Sequence, residues 1–319
     1  MSIGGYNQLC LRDLKTTIHE NSYRFQSARS SLYAYLLADN IKLIYVPNYV
    51  CDSILPAIKA LGVRIKFYSV DKRLLPIDIN LNERDENTKI LIINYFGLLD
   101  DDIKKLVKQS PTQYIVDNSQ ALFSNHICGS VSIYSPRKFL GIPDGGFLYS
   151  PVNVLLPDEY FDSTNSIAHL LLRPAGEVQN GYQKFLAAEC LLDDFLPKRM
   201  SQISEFLVRC IDIDSIKAKR RQNYLTLSES FDSINEFNAP LNSQVPLCYP
   251  LKLTLNVGSI CKKLIEYSVY LPRYWKSDYN QGIGLQMYNN TLFLPIDERL
   301  SKQEINDLVT AVKKCIDSI

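Results

Sequence analysis

The stretch "VSIYSPRKFLGIPDGGFLYS", residues 131–150, carries one lysine between two apolar runs. The run "VSIY" (131–134) is β-branched and aromatic and predicts a strand, and "GGFLYS" (145–150) predicts another. The Gly-Ile-Pro-Asp-Gly-Gly loop between them has the composition of a turn, since glycine takes positive φ or admits a close neighbour. Lys138 therefore follows a strand, either as a solvated loop cation or as an amine directed at a ligand. For a lone lysine the solvated cation is the commoner case.

The first half of the chain alternates between strand patterns and helix patterns. Strands are predicted at 41–47, 64–70, 89–96 and 113–117. Helices are predicted at 51–62, ended by Gly62, and at 100–109, where acidic residues open the helix and lysines follow. This alternation predicts an α/β sheet covered by helices on both faces.

The pattern changes near residue 199. A long amphipathic helix is predicted from there, followed by short strands at 249–255 and 291–296 and a final helix at 301–316. Ser301 and Glu304 have capping-box spacing at the start of that final helix. We expect a large α/β domain at 1–198 and a smaller α+β domain at 199–319, joined by the long helix.

Composition argues against several classes of protein. The 35 basic and 34 acidic residues give a net charge of +1, which predicts neither a nucleic-acid partner nor a membrane-surface partner. The sequence shows no signal peptide and no run of about 18 apolar residues, so we expect a cytoplasmic protein without a membrane segment. Eight cysteines without C-x-x-C spacing, with only three histidines, predict no metal site.

Polar residues follow several of the predicted strands, and ligands bind beyond the carboxyl ends of parallel strands. The segment "SARSSL" (27–32) predicts a helix start whose free backbone N–H groups suit an anion, although a plain N-cap is commoner. Tyr49 and Cys51 follow the strand at 41–47. Asp117 ends another strand, either as a turn residue or as a buried carboxylate that needs a cationic partner.

Asp117 and Lys138 have a recognised joint use. Pyridoxal phosphate (PLP) needs a lysine amine, an acid beside its ring nitrogen, an anion site and a flat contact for its ring. The helix start at 27–32 and the strand end at 47–51 complete that set. Each feature alone is weak, and their combination is moderately specific.

The chain from about residue 24 onwards resembles the DegT/DnrJ/StrS-type nucleotide-sugar aminotransferases. The glycine pair stands seven and eight residues after Lys138, as in the family pattern S-F-x-x-x-K-x-x-x-x-G-x-G-G. Four further segments are similar to family motifs in matching order: "ARSSL" (28–32), "NYFG" (94–97), "VDNSQA" (116–121) and "RMSQISEFL" (199–207).

The resemblance implies the fold of fold type I PLP-dependent transferases, with a large mostly parallel sheet domain and a smaller α+β C-terminal domain. It implies that Lys138 and Asp117 are catalytic, with Asp117 on the pyridine nitrogen and Gln120 near the ring hydroxyl of PLP. The cofactor-binding residues that it implies are Ala28, Arg29, Ser30, Tyr49, Cys51, Asp117, Gln120, Ser135 and Lys138.

The resemblance also implies substrates and partners. We expect an aminotransferase that acts on a keto-sugar nucleotide in amino-sugar or polysaccharide biosynthesis, with an amino acid, glutamate, as amine donor. The family places its active site at a homodimer interface, so we expect a homodimer. The segment "GYQKF" (181–185) and Lys198 are candidates to contact the partner's site.

Some positions depart from the family pattern. Ile133 replaces a phosphate-binding serine, Cys51 replaces an aromatic that stacks on the cofactor, and Pro197 replaces an asparagine that contacts the neighbouring subunit's cofactor. We therefore expect the phosphate on the backbone N–H groups of Arg29 and Ser30, assisted by the Ser30 side chain and by either Ser135 or Arg137.

Two alternatives stay open. One is a catalytically degraded relative that serves as a binding or assembly module, because a fold does not guarantee its chemistry. The other is a PLP-dependent lyase that modifies a sugar. The retained Lys138 weighs against both.

Overall fold

A large mixed sheet forms the centre of the molecule. The computed structural model describes residues 5–79, 86–237 and 239–318. The eight strands of this sheet are β1 (Tyr23–Phe25), β2 (Leu43–Pro47), β3 (Arg64–Val70), β4 (Pro76–Ile77), β5 (Thr88–Ile93), β6 (Tyr114–Asn118), β7 (Val131–Tyr134) and β8 (Gly146–Tyr149). Their order across the sheet is β1-β8-β7-β6-β5-β2-β3-β4.

The sheet is parallel in all but two of these strands. Strands β7, β6, β5, β2 and β3 pair in parallel. Strand β8 runs antiparallel to β7 and to β1, and β4 runs antiparallel to β3. The predicted mostly parallel sheet is confirmed. Strands β1 and β4 were absent from the prediction because runs of three and two residues show no clear alternation.

Ten α-helices accompany the strands in the described ranges. They are α1 (Ala28–Ala38), α2 (Leu55–Ala60), α3 (Asp100–Val107), α4 (Ala168–Leu172), α5 (Val178–Leu191), α6 (Gln202–Arg209), α7 (Ile213–Phe231), α8 (Gly258–Glu266), α9 (Gly282–Asn290) and α10 (Lys302–Asp317). Within those ranges no helix is both long enough and apolar enough to cross a membrane.

The long helix predicted from residue 199 is two helices. Helix α6 ends at Arg209, and α7 begins at Ile213 after a short break. The Asp212 side chain accepts a hydrogen bond from the Ser215 amide at 3.0 Å, which makes Asp212 the N-cap of α7. The prediction of one continuous helix was wrong because the apolar pattern continues across this capping aspartate.

The C-terminal part contains a second, two-stranded sheet. Its antiparallel strands are β9 (Cys248–Lys252) and β10 (Thr291–Pro295). The predicted capping box is present at the start of α10, where Ser301 and Glu304 exchange hydrogen bonds. Buried apolar side chains connect this part to the large sheet in one continuous core. The domain boundary at 198/199 stays a prediction.

Candidate active site

The residues predicted to bind a ligand lie along one edge of the large sheet. Because β1, β2, β6 and β7 all point the same way, the residues that end or follow them meet at the carboxyl edge. Ala28, Arg29 and Ser30 begin α1 after β1, and Tyr49 and Cys51 follow β2. Asp117 and Gln120 lie at the end of β6, and Ser135 and Lys138 follow β7.

Lys138 is exposed at the end of the turn that follows β7. This 3₁₀ turn spans Pro136–Lys138, because proline cannot continue the ladder of a central strand. The Lys138 amide donates to the Ser135 carbonyl at 3.3 Å. Among the described residues, none forms a hydrogen bond or an ion pair with the Lys138 Nζ. The amine is therefore free to contact a ligand.

Asp117 is half-buried in β6, and one of its two carboxylate oxygens accepts a hydrogen bond. Its Oδ1 accepts a hydrogen bond from the Ser119 amide at 2.8 Å. No ion pair to Asp117 occurs in the described part of the chain, so Lys138 is not its counter-ion here. Ile93 and Ile133 are its register partners on the neighbouring strands. An apolar side chain thus stands beside the carboxylate, at the position where the pattern of the resembled family has a serine.

Gln120 is buried with half of its amide unsatisfied. Its side chain is 1% exposed, and its Oε1 accepts a hydrogen bond from the Phe96 amide at 3.0 Å. Its Nε2 is buried and has no partner within the described ranges. Because an unpaired buried donor costs free energy, this nitrogen points to a missing acceptor such as a ligand oxygen.

The N-terminus of α1 offers one open backbone amide, that of Arg29. The Ser27 Oγ caps the helix by accepting from the Ser30 amide at 3.1 Å, and the Ser30 Oγ lies 2.9 Å from the same oxygen. The Ala28 amide lies against the backbone of Gly145 and Gly146, which bridges to Ser27. The Arg29 amide, at the start of the helix, has no partner inside it. Of the two amides that the sequence suggested for an anion, the Ser30 amide is therefore taken by the cap, and the Arg29 amide stays a prediction.

The glycine pair after Lys138 permits close contact with this helix start. A Cβ at Gly146 would lie 2.2 Å from the carbonyl carbon and oxygen of Ser27, so no larger residue fits. Gly145 has a φ of +145° and donates its amide to the Gln26 carbonyl at 2.8 Å. The pair thus holds the lysine loop directly against the N-terminus of α1.

Asp144 is a structural anchor that the sequence did not single out. It is fully buried, and it accepts hydrogen bonds from the Ser201 amide at 2.8 Å, the Ser201 hydroxyl at 2.5 Å and the Ser204 hydroxyl. Burial raises the pKa of its carboxyl, and these hydrogen bonds partly oppose that rise. Asp144 thereby ties the lysine loop to the start of α6.

Tyr49 and Cys51, the two residues expected to contact the cofactor ring, differ in burial and in their contacts. Tyr49 is fully buried, its ring is stacked on Tyr95 at 5.3 Å, and its hydroxyl donates to the Tyr274 carbonyl at 2.5 Å. Burial raises the pKa of that hydroxyl well above its usual value. Cys51 is half-buried, with its Sγ 3.1 Å from the Ser53 Oγ. The Tyr49 ring therefore presents no exposed face.

The serines around β7 separate onto different faces. The Ser132 hydroxyl lies 3.0 Å from His126 Nδ1 and is fully buried. Ser135 is 8% exposed, and its hydroxyl has no hydrogen bond within the described part of the chain. Residues two apart on a strand share a face, so Ser135 extends the Asp117–Ile133 side of the sheet.

A half-buried histidine from the N-terminal arm lies beside the loop after β6. His19 Nε2 is 2.7 Å from the Leu122 carbonyl, and its ring lies 4.0 Å from the Tyr134 ring. Burial lowers the pKa of His19 to about 4. The arm is fixed further by Thr16, whose hydroxyl donates to the Ile211 carbonyl at 2.6 Å.

A cavity elsewhere in the structure does not contribute to this edge of the sheet. A cavity of about 240 Å³, lined by residues that include Tyr160, Asp162 and Gln202, does not include Lys138 or Asp117. Over the residues with described positions, no group of three or more His, Cys, Asp or Glu side chains could hold a metal ion. The backbone and side-chain groups described above therefore define the candidate site.

Comparison with known proteins establishes the fold. The structure matches the aminotransferase TlmJ from Streptoalloteichus hindustanus with a TM-score of 0.66 and 15% identity, over 93% of this chain and 86% of that chain. It matches a DegT DnrJ EryC1 StrS aminotransferase from Brucella abortus with a TM-score of 0.62 and 14% identity, over 92% and 85%. It also matches the PLP-form of Spr1654 from Streptococcus pneumoniae with a TM-score of 0.62 and 12% identity, over 93% and 87%.

These matches confirm the predicted fold class, a large mostly parallel sheet of the kind found in sugar aminotransferases. Spr1654 has also been solved in a PMP-form, which matches with a TM-score of 0.64 and 12% identity over 93% of this chain and 88% of that one. No protein-family model matches the sequence. A search of curated proteins finds no significant match.

Proposed function

We propose that the chain is a PLP-dependent aminotransferase that acts on a keto sugar carried by a nucleotide. One juxtaposition carries the proposal: the free amine of Lys138, the half-buried carboxylate of Asp117 and the open Arg29 amide of α1 share one edge of the sheet. The fold supports it, because Spr1654, which shares that fold, was solved in PLP- and PMP-forms.

The residues present fit this cofactor. Gln120 offers an unpaired buried donor for a ring oxygen, and Asp117 has a second carboxylate oxygen for a protonated ring nitrogen. The Arg29 amide suits a phosphate group, because a helix N-terminus combines unpaired donors with a positive dipole end. The Ser135 hydroxyl is available as a further donor.

Bound PLP would supply an electron sink for the breaking of a carbon–hydrogen bond. The Lys138 amine would hold the cofactor covalently and, once displaced by an amino acid, move the proton as general base. Asp117 would keep the ring nitrogen protonated by placing a negative charge beside it. Gly145 and Gly146 would hold Lys138 at a fixed distance from the Arg29 amide.

The proposal includes a homodimer and two substrates. Helices α4 and α5 expose apolar side chains that a partner subunit would cover: Leu171, Val178, Tyr182, Phe185, Leu186 and Leu191. Helix α5 is joined to the turn that carries Lys138 by the ion pair between Glu189 and Arg137, so such a contact would lie beside the proposed site. We propose glutamate as amine donor, a cytoplasmic location and a role in amino-sugar or polysaccharide biosynthesis.

The buried Tyr49 ring favours the second candidate function, a degraded relative that serves as a binding or assembly module. In that case no aromatic face from β2 would contact a pyridine ring, and the fold would persist without the chemistry. Cofactor capture separates the two functions.

The test is covalent capture at Lys138. We expect purified protein incubated with PLP and reduced with borohydride to retain the cofactor on the Lys138 peptide, as located by mass spectrometry. Lys138→Ala should lose this label, and Lys184→Ala, which removes an exposed lysine of α5, should keep it. Capture on another lysine, or none, would exclude the proposed mechanism.

A further inference from the structure

Two arginines beside the candidate site are paired with carboxylates at the end of α5 and just after it. The Arg29 Nη1 lies 2.6 Å from the Asp193 Oδ1, and Arg137 pairs with Glu189. The arginine side chains are only 17% and 16% exposed, whereas the aspartate and glutamate side chains are 70% and 39% exposed. The cations are therefore held by the fold, and the carboxylates are the partners that can move away.

The two arginines belong to segments that touch each other. Arg29 is the second residue of α1, and Arg137 directly precedes Lys138. Ser27 forms a β-bridge with Gly145, and a Cβ at Gly145 would lie 2.8 Å from the Pro136 side chain. The helix start and the lysine turn thus meet, and each presents one guanidinium group.

The two carboxylates come from a peripheral helix. Glu189 lies in the last turn of α5, and Asp193 follows that helix within one further turn. Only two residues of α5, Gly181 and Ala188, are buried. Because the ion pairs are partly exposed, each contributes little stability. A stronger anion can therefore replace the carboxylates.

Arg137 has hydrogen-bonding capacity that Glu189 does not use. Its Nε is buried and has no partner within the described ranges. A buried guanidinium N–H without an acceptor is unfavourable. A phosphate group can accept from Nε and Nη together, since bidentate pairing matches the geometry of guanidinium and phosphate.

We propose that Arg29 and Arg137 form an exchangeable anion site for a phosphate group, occupied by Asp193 and Glu189 when no phosphate is bound. A phosphate dianion carries more charge and more acceptor oxygens than either carboxylate, so it displaces both. That the phosphate belongs to the cofactor or to the sugar nucleotide rests on the proposed function. The site itself is argued from the two ion pairs, the contact between the two segments and the unpaired Arg137 Nε.

The experiment is a calorimetric titration of the full chain with inorganic pyrophosphate. Removing the competing carboxylates in the double variant Glu189→Gln, Asp193→Asn should tighten binding about three- to ten-fold, because pyrophosphate then displaces no ion pair. The control Glu177→Gln, at the other end of α5, should bind like the wild type. Arg137→Gln should weaken binding, and Arg137→Lys, which keeps the charge, should restore only part of it.

The outcomes decide the proposal. Unchanged or weaker binding in the double variant, equal binding by Arg137→Gln, or no binding by the wild type would overturn it. Circular dichroism checks that each variant is folded, and the single variant Glu189→Gln repeats the test with one conservative change at a partly exposed side chain.

A competition experiment identifies the source of the phosphate. If PLP blocks pyrophosphate but pyridoxal does not, the site takes the cofactor's phosphate. If pyrophosphate binds alongside PLP and uridine diphosphate displaces it, the site takes a nucleotide's phosphate. Pyrophosphate binding needs no covalent bond to Lys138, so a chain that fails cofactor capture but responds as above would refute the proposed function and leave this site standing.

Discussion

Asp117 is the residue whose charge matters most to the proposed chemistry. The variant Asp117→Asn should still bind PLP, because the amide oxygen keeps the hydrogen bond from the Ser119 amide. Without the negative charge the ring nitrogen loses its proton, so the rate of amine transfer should fall by orders of magnitude. Single-turnover absorbance measurements with glutamate would show this.

The matched control for this variant is Asp214→Asn, which removes an exposed carboxylate of α7 outside the sheet edge. It should leave the single-turnover rate within a few-fold of the wild type. Wild-type turnover by Asp117→Asn would rule out a role for Asp117 at the ring nitrogen.

At the level of single residues, the sequence locates Lys138 and Asp117 because both follow apolar strands, and strand ends can be predicted from local pattern. The burial of Tyr49 could not be predicted. It depends on Tyr95, Tyr274 and Trp275, which lie far away along the chain. The role of Asp144 was equally hidden, since its partners Ser201 and Ser204 belong to another element.

The contact between β8 and α1 gives a prediction at the scale of elements. Gly146→Ala should destabilise the fold by about 3 kcal/mol or more, because the added methyl group meets the Ser27 and Ala28 backbone, which cannot yield easily. Gly141→Ala, in the same loop, has nothing within 4 Å of the new methyl group and should stay close to wild-type stability.

Chemical denaturation of both variants measures the difference. Equal stability of the two would mean that β8 and α1 are not in close contact. The comparison needs no cofactor, so it tests the loop geometry independently of the proposed activity.

The N-terminal arm gives a second prediction at this scale, a pH dependence. Because burial lowers the pKa of His19 from 6.5 to about 4, the unfolded chain binds more protons than the folded chain between those values. Stability should therefore fall as the pH falls through that window, by about 2 kcal/mol between about pH 7 and about pH 5.

The variant His19→Gln isolates this effect, since glutamine does not titrate and can still donate to the Leu122 carbonyl. The difference in unfolding free energy between wild type and variant should shrink or reverse towards pH 5. A difference that stays constant with pH would show that His19 titrates normally.

The ends of helices were predictable where the kind of residue changes along the chain. They were not predictable where the same apolar pattern continues past the end of a helix. The α3 start and the α10 capping box follow from local residues. The break between α6 and α7 does not, because the apolar pattern crosses Asp212 and only the cap hydrogen bond marks it.

At the scale of the whole molecule, the exposed face of α5 predicts self-association. We expect a dimer at micromolar concentration by light scattering. The double variant Tyr182→Glu, Phe185→Glu should be monomeric, because charge on an apolar contact must be desolvated. Leu225→Glu, at an equally exposed apolar position on α7, should remain dimeric.

A monomeric wild type at that concentration would contradict the prediction, and so would a double variant that stays dimeric.

The fold as a whole was predictable, since alternating strand and helix patterns define a parallel sheet. The position of α4 and α5 was not, because their apolar residues face outwards and give no core pattern.

The pairing of β1 with β8 has a consequence for how the molecule comes into being. During synthesis, residues 23–25 leave the ribosome early, but their partner strand at 146–149 must be made before they can pair. Loop closure over such a span is slow, and an unpaired strand is prone to aggregation while it waits. The contact between the N-terminus of α1 and the lysine loop forms only after Gly145 and Gly146 have been synthesised. A nascent chain halted before β8 would therefore lack the end of the molecule where we propose that phosphate binds, however well its other strands had folded.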